Sequence, residues 1–339
     1  MINEFRQDLV SGEWVLFATG RAKRPGGEQK APGLKNDKNT CPFEDPEKSG
    51  NEILVTYGQE GQLLNEKQIQ QRDTWFAKVA KNKFPAVIEG EAGPRRTAGP
   101  FKVTDARGLH EIVIYRDHDR ELNQYSNDGL ANIFKIYQER YRAMASYAAS
   151  RYILIFHNHG AGAGASIAHP HSQIISIPIM PPDVRRSLHG SENFFEENGK
   201  RVYDLMISWE MAEKKRIIFE NKNFIAFCPF VSRTPYEVRI FSKESHAHFE
   251  QCPAEILVDL GEVVNFVLNK MYKALNNPDY NFFIHTAPVD AKSPQIHAFY
   301  SWHVEVIPKM KMEGAFEIGS GIEVNVVDPD VAAEELRNA

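Results

Sequence analysis

The sequence predicts an α+β fold made of two similar units, each an antiparallel sheet with one long helix packed against it. The order strand, long helix, strand, loop, strand occurs twice along the 339 residues. The matching segments are YILIFHN with YNFFIHT, and HSQIISIP with HVEVIP. A repeat of this length indicates one structural unit present twice. We therefore divide the chain into an N-terminal unit, residues 1–184, and a C-terminal unit, residues 185–339.

The first unit opens with a predicted pair of short strands in residues 1–17, joined at a Ser-Gly turn. Residues 110–115, HEIVIY, are rich in β-branched side chains, which is typical of a strand. Residues 127–150 form a long amphipathic segment without proline, and this pattern predicts a helix. A second strand follows at 152–158, and a third follows the glycine-rich loop.

The second unit shows the same order. We predict a strand at 236–241, a long helix at 253–276, and strands at 280–286 and 301–308. A polar, glycine-containing stretch near 185–215 is the predicted linker, followed by a helical stretch, VYDLMISWEMAEKK. The C-terminal tail is expected to end as a short helix.

Composition restricts the class of protein. Hydrophobic residues make up 42% of the chain and charged residues 25%, as in an ordinary globular protein. A net charge of −5 argues against a general nucleic-acid surface. Three cysteines cannot form a disulfide framework. The first residues do not resemble a signal peptide, and no apolar run is long enough to span a membrane. We therefore expect a cytoplasmic protein without nucleic-acid or membrane partners.

Residues 157–177, HNHGAGAGASIAHPHSQIISI, combine a glycine-rich loop with a following strand. Glycines let the backbone approach a ligand closely, and exposed amides in such a loop can bind an anion. Because side chains alternate along a strand, His169, His171 and Gln173 should share one face.

This arrangement suits phosphoryl chemistry. A histidine nitrogen can attack phosphorus and form a covalent intermediate, and the hydrogen bond at its other nitrogen sets the tautomer. A neighbouring amide such as Gln173 can donate to phosphate oxygens. The alternative is that these histidines are solvent-exposed or structurally satisfied residues of a loop, since short motifs recur by chance. Two histidines beside a Gly-Ala-Ser loop favour the catalytic interpretation.

The motif formed by Asn158, the glycine run, Ser166 and His169-Pro-His171-x-Gln173 resembles the active-site segment of galactose-1-phosphate uridylyltransferases, a branch of the histidine-triad superfamily. The resemblance implies tandem histidine-triad (HIT-like) repeats joined in one sheet, and a homodimer with its sites at the interface. It implies that His171 is the nucleotidylated nucleophile and that Gln173 and Ser166 donate to phosphate oxygens.

Further substrate contacts are implied by the same resemblance. The basic segment RAKRP and the segment NKFP match family elements near the nucleotide, and the tail matches one near the sugar phosphate. From charge alone the basic segment is more typical of a solvated loop, NKFP could be only a turn into a strand, and Glu317 could equally be a surface residue. The residues assigned to substrate binding are Arg21, Arg24, Asn82, Asn158, Gly164 and Glu317.

A zinc site is expected on similar grounds. Cys41-Pro-Phe-Glu44 corresponds to the CPFC segment of many family members, with Glu44 at the second cysteine position. The family's other two ligands match His118 and His169. Zinc accepts cysteine, histidine and carboxylate ligands, usually four in a tetrahedron. We predict one structural Zn²⁺ per chain and no organic cofactor. The alternative is that Glu44 marks loss of the metal and Cys41 is merely buried.

The second repeat is predicted to be a degenerate site. Its strand face carries Ser301, His303 and Glu305 where the first repeat has His169, His171 and Gln173, and it lacks the glycine loop. We predict no second metal there.

The functional hypothesis is a UDP-glucose:hexose-1-phosphate uridylyltransferase of galactose metabolism with galactose 1-phosphate as acceptor. It would act by ping-pong transfer through a uridylyl-histidine at His171. An ADP-glucose phosphorylase of the same superfamily is the main alternative, because the motif defines the reaction class better than the base. A nucleotide-sugar hydrolase and a non-catalytic nucleotide-binding protein are weaker alternatives.

Overall fold

The computed structural model of the protein describes six stretches of the chain, namely residues 1–23, 37–69, 75–91, 93–289, 294–311 and 314–339. Its strands are β1 (Asn3–Gln7), β2 (Trp14–Ala18), β3 (Ile53–Gly58), β4 (Trp75–Lys81), β5 (Arg96–Ala98), β6 (Phe101–Val103), β7 (His110–Tyr115), β8 (Tyr152–His159), β9 (His171–Ile177), β10 (Ile217–Glu220), β11 (Phe224–Phe227), β12 (Val238–Ser242), β13 (Tyr280–His285), β14 (His303–Pro308) and β15 (Glu323–Asn325). Its helices are α1 (Glu66–Ile69), α2 (Asn127–Ala145), α3 (Pro182–Asn198), α4 (Val202–Glu213), α5 (Leu257–Ala274), α6 (Ala315–Ser320) and α7 (Pro329–Asn338).

One antiparallel sheet of ten strands runs through both repeats. Its order is β10-β11-β12-β14-β13-β8-β9-β7-β4-β3. The repeats meet where β8 pairs with β13, with Phe156 opposite Phe283 and Asn158 opposite Asn281. This confirms the predicted α+β fold and the expectation that both repeats form a single sheet.

The two faces of the sheet have different partners. Helices α2 and α5 pack on one face, where Ile155, Ile174 and Val304 belong to a continuous buried core. Ser126 caps α2 by accepting a hydrogen bond from the amide of Gly129, at 3.1 Å. Because side chains alternate along each strand, His171 and Gln173 lie on the opposite face.

The first part of the stretch predicted as a polar linker, residues 185–198, is helical instead, whereas the helical stretch predicted after it is α4. Helices α3 and α4 occupy most of residues 185–215, and the predicted boundary at residue 184 falls inside α3. Val202, Tyr203 and Ile207 of α4 are buried in a second core cluster that also includes side chains of β11 and β12. Helix α4 thus covers the second repeat on the face that carries His171 in the first. The division into units 1–184 and 185–339 stays a prediction.

Other predicted elements differ from the observed ones at their ends, since β12 begins at Val238 and β14 at His303, each two residues later than predicted. The first long helix ends at Ala145 rather than near residue 150, and the second begins at Leu257 after a short 3₁₀ turn. Among the described helices, none has the length and apolar character needed to cross a membrane.

Candidate active site and metal centre

His171 begins strand β9, which pairs with β7 on one side and β8 on the other. Its Nδ1 lies 2.9 Å from the carbonyl oxygen of His169, so Nδ1 carries the proton and donates it. This bond leaves Nε2 with a free lone pair, the form needed for nucleophilic attack. The side chain is 6% exposed, and the Phe43 ring packs 5.0 Å from it, centroid to centroid. Burial lowers the pKa of His171, which favours the neutral, nucleophilic ring.

Gln173 lies on the same face of β9 and bonds to a histidine from the neighbouring strand. Its Oε1 is 2.8 Å from Nε2 of His110 at the start of β7. Asn82 Nδ2 lies 3.1 Å from the same nitrogen, and Asn82 Oδ1 accepts the amide N–H of Phe84. The predicted site residues Asn82 and Gln173 therefore both lie against His110, a residue that sequence reasoning missed.

The glycine-rich loop does not present the anion-binding amides that its composition suggests. The amide of Gly162 donates to Asp279 Oδ2 of the second repeat, at 2.6 Å. The next three amides, at residues 163–165, donate to carbonyl oxygens within the loop. Gly160 has a φ of 81°, and a Cβ there would lie 1.9 Å from Asp279 Oδ1. Gly160 thus makes room for a carboxylate, and the expectation that these four amides form a phosphate cradle is wrong.

Asn158 is held by its counterpart in the second repeat. Asn281 Nδ2 donates to Asn158 Oδ1 at 2.9 Å and to the carbonyl of Ala163 at 2.8 Å. Gly164 has a φ of 88° and lies near Asn158, since Asn158 Nδ2 would be 3.8 Å from a Cβ at Gly164. Ser166 is exposed at the end of the loop. Asp279 and Asn281, which sequence reasoning missed, are thus supports of the site loop.

Two predicted substrate contacts, Arg21 and Glu317, make no hydrogen bond or ion pair with these site residues within the part of the chain that the structure describes. Arg21 is exposed in the short turn after β2, and Arg24 lies outside the described residues. The carboxylate of Glu317 accepts the amide N–H of Gly314 at the start of its own helix, α6. Their roles stay predictions.

A compact group of side chains of the types that bind metals lies beside His171. Cys41, His118 and His169 each place one ligand atom within 4.8 Å of the others. His169 Nδ1 is 3.2 Å from His118 Nδ1 and 3.7 Å from Cys41 Sγ. Glu44 Oε1 is 2.8 Å from His118 Nδ1 and 3.6 Å from His169 Nδ1. Zinc bonds of about 2.0–2.3 Å set ligand atoms about 3.3–3.8 Å apart in a tetrahedron, so most of these separations suit a shared ion.

The protonation states of this group also suit a cation. His169 Nε2 lies 2.6 Å from the carbonyl oxygen of Tyr115, so Nε2 carries the proton and Nδ1 faces the cluster unprotonated. Glu44 Oε1 is buried, and within the described part of the chain it receives no hydrogen bond of good geometry. Burial raises the pKa of the Cys41 thiol, and the nearby Glu44 carboxylate adds to this effect. A bound cation would satisfy the carboxylate and stabilise the thiolate.

His303 is the residue of the second repeat that corresponds to His171. Its ring makes the same local hydrogen bond, but the residues around it differ. His303 Nδ1 lies 3.1 Å from the carbonyl oxygen of Ser301, as His171 does with His169. Glu305, in place of Gln173, forms an ion pair with Arg239, whose Nε lies 2.7 Å from Glu305 Oε1. Burial lowers the pKa of His303 to about 4. His285, His303 and Glu305 lie within 4.8 Å of one another, but the guanidinium already compensates the carboxylate.

Comparisons with known proteins agree with this architecture. A family model described as the N-terminal domain of galactose-1-phosphate uridyl transferase matches residues 2–181. A second model, of a domain of unknown function, matches residues 108–338. ADP-glucose phosphorylase of Arabidopsis thaliana is 32% identical over 347 aligned residues, which cover 98% of this chain and 92% of that protein. Galactose-1-phosphate uridylyltransferase of Thermotoga maritima is 25% identical, with 98% of each chain covered.

Solved structures show the same similarity in three dimensions. The crystal structure of ADP-glucose phosphorylase from Arabidopsis thaliana with bound ADP-glucose has a TM-score of 0.82 at 29% identity, covering 100% of this chain and 99% of that one. A uridylyltransferase structure has a TM-score of 0.72 at 22% identity, covering 99% and 97%, and shares the fold.

Proposed function

Because the chain belongs to the galactose-1-phosphate uridyl transferase family, a family of nucleotidyltransferases, we propose that it transfers a nucleotidyl group through a covalent intermediate on His171. The observation that carries this proposal is the bond from His171 Nδ1 to the His169 carbonyl, which leaves Nε2 as the free nucleophilic nitrogen. The donor would be a nucleoside diphosphate sugar and the acceptor a second phosphate compound.

The proposed reaction has two displacement steps. Nε2 of His171 attacks the α-phosphorus, a P–N bond forms, and the P–O bond to the sugar 1-phosphate breaks. A phosphate oxygen of the acceptor then attacks the same phosphorus and restores the histidine. The amide of Gln173 and the hydroxyl of Ser166 would donate to the phosphate oxygens, since the loop amides at 162–165 are already engaged. The proposed substrate contacts remain Arg21, Arg24, Asn82, Asn158, Gly164 and Glu317.

Two donors fit this mechanism. Adenylyl transfer from ADP-glucose to inorganic phosphate is supported by the 32% identity to ADP-glucose phosphorylase. Uridylyl transfer from UDP-glucose to galactose 1-phosphate is supported by the family model and by the 25% identity to a uridylyltransferase. Both relatives cover 98% of this chain, and the sequence identity to the ADP-glucose phosphorylase is the higher of the two. We therefore propose ADP-glucose as the first candidate donor and UDP-glucose as the second.

Intact-protein mass measured after brief incubation with ADP-glucose, and separately with UDP-glucose, tests the reaction and the base together. We expect a gain of one adenylyl group from ADP-glucose that inorganic phosphate removes as ADP. A uridylyl gain that galactose 1-phosphate removes would assign the chain to the uridylyltransferases instead. Release of sugar phosphate without an adduct or an acceptor would indicate a hydrolase. No adduct and no release would contradict the transferase proposal and favour a binding role.

We further propose that Cys41, Glu44, His118 and His169 hold one structural Zn²⁺. When bound, the ion would connect the segment at residues 41–44 to the loop before β9. Metal analysis of the purified chain should give one zinc per chain. Cys41→Ser should lose most of it and lower the thermal midpoint by several degrees, because metal binding contributes folding free energy.

Cys252→Ser is the matched control, since Cys252 is also buried but lies outside the ligand group. It should keep the zinc content of the wild type. Glu44→Cys, which restores a second thiolate, should retain the metal. Equal zinc in the Cys41→Ser variant and the wild type would contradict this site, as would a wild type without zinc.

We also propose a homodimer and a cytoplasmic location. The family resemblance suggests the dimer, which light scattering on the purified chain would test. The three cysteines are unpaired and buried, which suits a reducing compartment.

A further inference from the structure

We propose that His110 is a positioning residue that fixes the Gln173 amide so that its NH₂ group faces the phosphate transferred by His171. His110 would act through Gln173 rather than on the substrate. This inference rests on the proposed function, because it gives Gln173 a defined orientation in that reaction.

The tautomer of His110 follows from one backbone bond. The amide N–H of Ala86 donates to His110 Nδ1, at 3.2 Å. A backbone N–H can only donate, so Nδ1 is unprotonated and the neutral ring carries its proton on Nε2. Burial lowers the pKa of His110 further than its bond to Gln173 raises it, which favours the neutral ring.

The orientation of Gln173 then follows from the tautomer. Nε2–H of His110 needs an acceptor, and the Gln173 atom 2.8 Å away is therefore the carbonyl oxygen Oε1. The NH₂ of Asn82, 3.1 Å from the same Nε2, is also a donor, so in this tautomer that longer contact is not a hydrogen bond and the proton goes to Gln173. The NH₂ end of the amide must point away from His110. The two ends of an amide are nearly the same size, so a side chain without this restraint could present either one.

That choice matters for a phosphate ligand. An amide NH₂ stabilises negative charge on phosphate oxygens, whereas a carbonyl oxygen turned towards them repels it. A restrained amide is already oriented before the substrate arrives, and this preorganisation favours the transition state.

His110 is itself held at two points by the segment that follows β4. Its carbonyl accepts the amide N–H of Asn82 at 2.8 Å, while its ring accepts the amide N–H of Ala86. Asn82 and Ala86 are four residues apart, so a short loop fixes both the backbone and the ring. This rigidity is what a positioning residue requires.

The second repeat provides an internal comparison. Ile112 lies opposite Gln173 on the neighbouring strand, and Arg239 lies opposite Glu305. His110 lies two residues before Ile112 on its strand, and Glu237 lies two residues before Arg239. There Glu237 Oε1 accepts from Arg239 Nε at 3.1 Å, within a buried ion network that includes Glu305. The histidine–glutamine pair therefore belongs to the repeat with the nucleophile.

A double-mutant cycle on the rate of adduct formation tests the coupling. His110→Phe keeps an aromatic ring but removes the Nε2 donor, and we expect adduct formation about 10–100-fold slower, with donor affinity changed less than about threefold. Gln173→Ala should cost about 10²–10³-fold. In the Gln173→Ala background, His110→Phe should add less than about twofold, because the group it positions is gone. Independent, multiplicative effects of the two changes would overturn the proposal, as would no effect of His110→Phe.

A separate measurement does not depend on turnover. Nitrogen-15 histidine spectra of the substrate-free chain, with the His110 signals assigned from their loss in His110→Phe, should show the Nε2–H tautomer near neutral pH. The Nδ1–H tautomer would overturn the proposal. A wild type that forms no adduct with either donor contradicts the proposed function, whereas an adduct formed at an unchanged rate by His110→Phe contradicts only the role of His110.

Discussion

Replacing His171 with asparagine is expected to abolish the nucleotidyl adduct and to slow turnover by about 10⁴-fold or more. The reason is geometric, since His171 Nε2 is the nitrogen left free by the bond from Nδ1 to the His169 carbonyl. Asparagine can still donate to that carbonyl but offers no nucleophile in place of Nε2. Intact mass after incubation with the nucleotide sugar and single-turnover release of sugar 1-phosphate would measure the loss.

The matched control is His303→Asn. His303 bonds to the carbonyl two residues before it, as His171 does, but it lies under Tyr203 of α4, with 6.1 Å between the ring centroids. The folded variant should form the adduct as the wild type does. An adduct that survives in His171→Asn and is lost in His303→Asn would move the nucleophile to the second repeat.

Gly160→Ala is expected to cause the largest structural effect of a single methyl group in the site loop. The new Cβ would lie 1.9 Å from Asp279 Oδ1, and the backbone φ of 81° is unfavourable for alanine. Either the carboxylate or the loop must move, and the Gly162 amide then loses its acceptor. We expect the free energy of unfolding to fall by about 2–4 kcal/mol and adduct formation to slow at least tenfold. Denaturant unfolding and adduct kinetics would measure both effects.

Gly12→Ala separates backbone strain from the clash. Gly12 has a φ of 73°, but a Cβ there would meet no atom within 4 Å. It should cost only about 1–2 kcal/mol, the strain of a left-handed alanine. Asp279→Ala combined with Gly160→Ala should cost less than the sum of the two single changes, because the clashing carboxylate is gone. Equal destabilisation by Gly160→Ala and Gly12→Ala would show that the contact with Asp279 is unimportant.

Much of the fold could be predicted because its signals are local. The strand patterns around β8, β9, β13 and β14 match between repeats, and their duplication predicted two similar units of sheet and helix. That the two units join in one sheet was implied by the family resemblance. Helix α3 was not predicted because its apolar residues are few and lie among charged ones. Leu188 and Phe194 pack against the core cluster that contains α4, and this contact is not visible in the sequence.

The site was predictable where it is contiguous in sequence and less so where it depends on strand pairing. His171 and Gln173 are two residues apart and share a face by alternation. His110 is 63 residues before Gln173, and only the register of β7 with β9 brings them together. Asp279 reaches Gly162 from the other repeat, 117 residues later. Nothing in the local pattern of either segment indicates that contact.

The pairing of β8 with β13 means that the two halves of the chain are not separable modules. A fragment ending after β9 would leave β8 as a long unpaired edge, a ready template for intermolecular association. It would also lack the Asp279 and Asn281 side chains that hold the loop before His171. The second repeat, which lacks the histidine–glutamine pair, therefore still supports the loop before His171. Substitutions at Asp279 or Asn281 should disturb that loop from the other half of the chain.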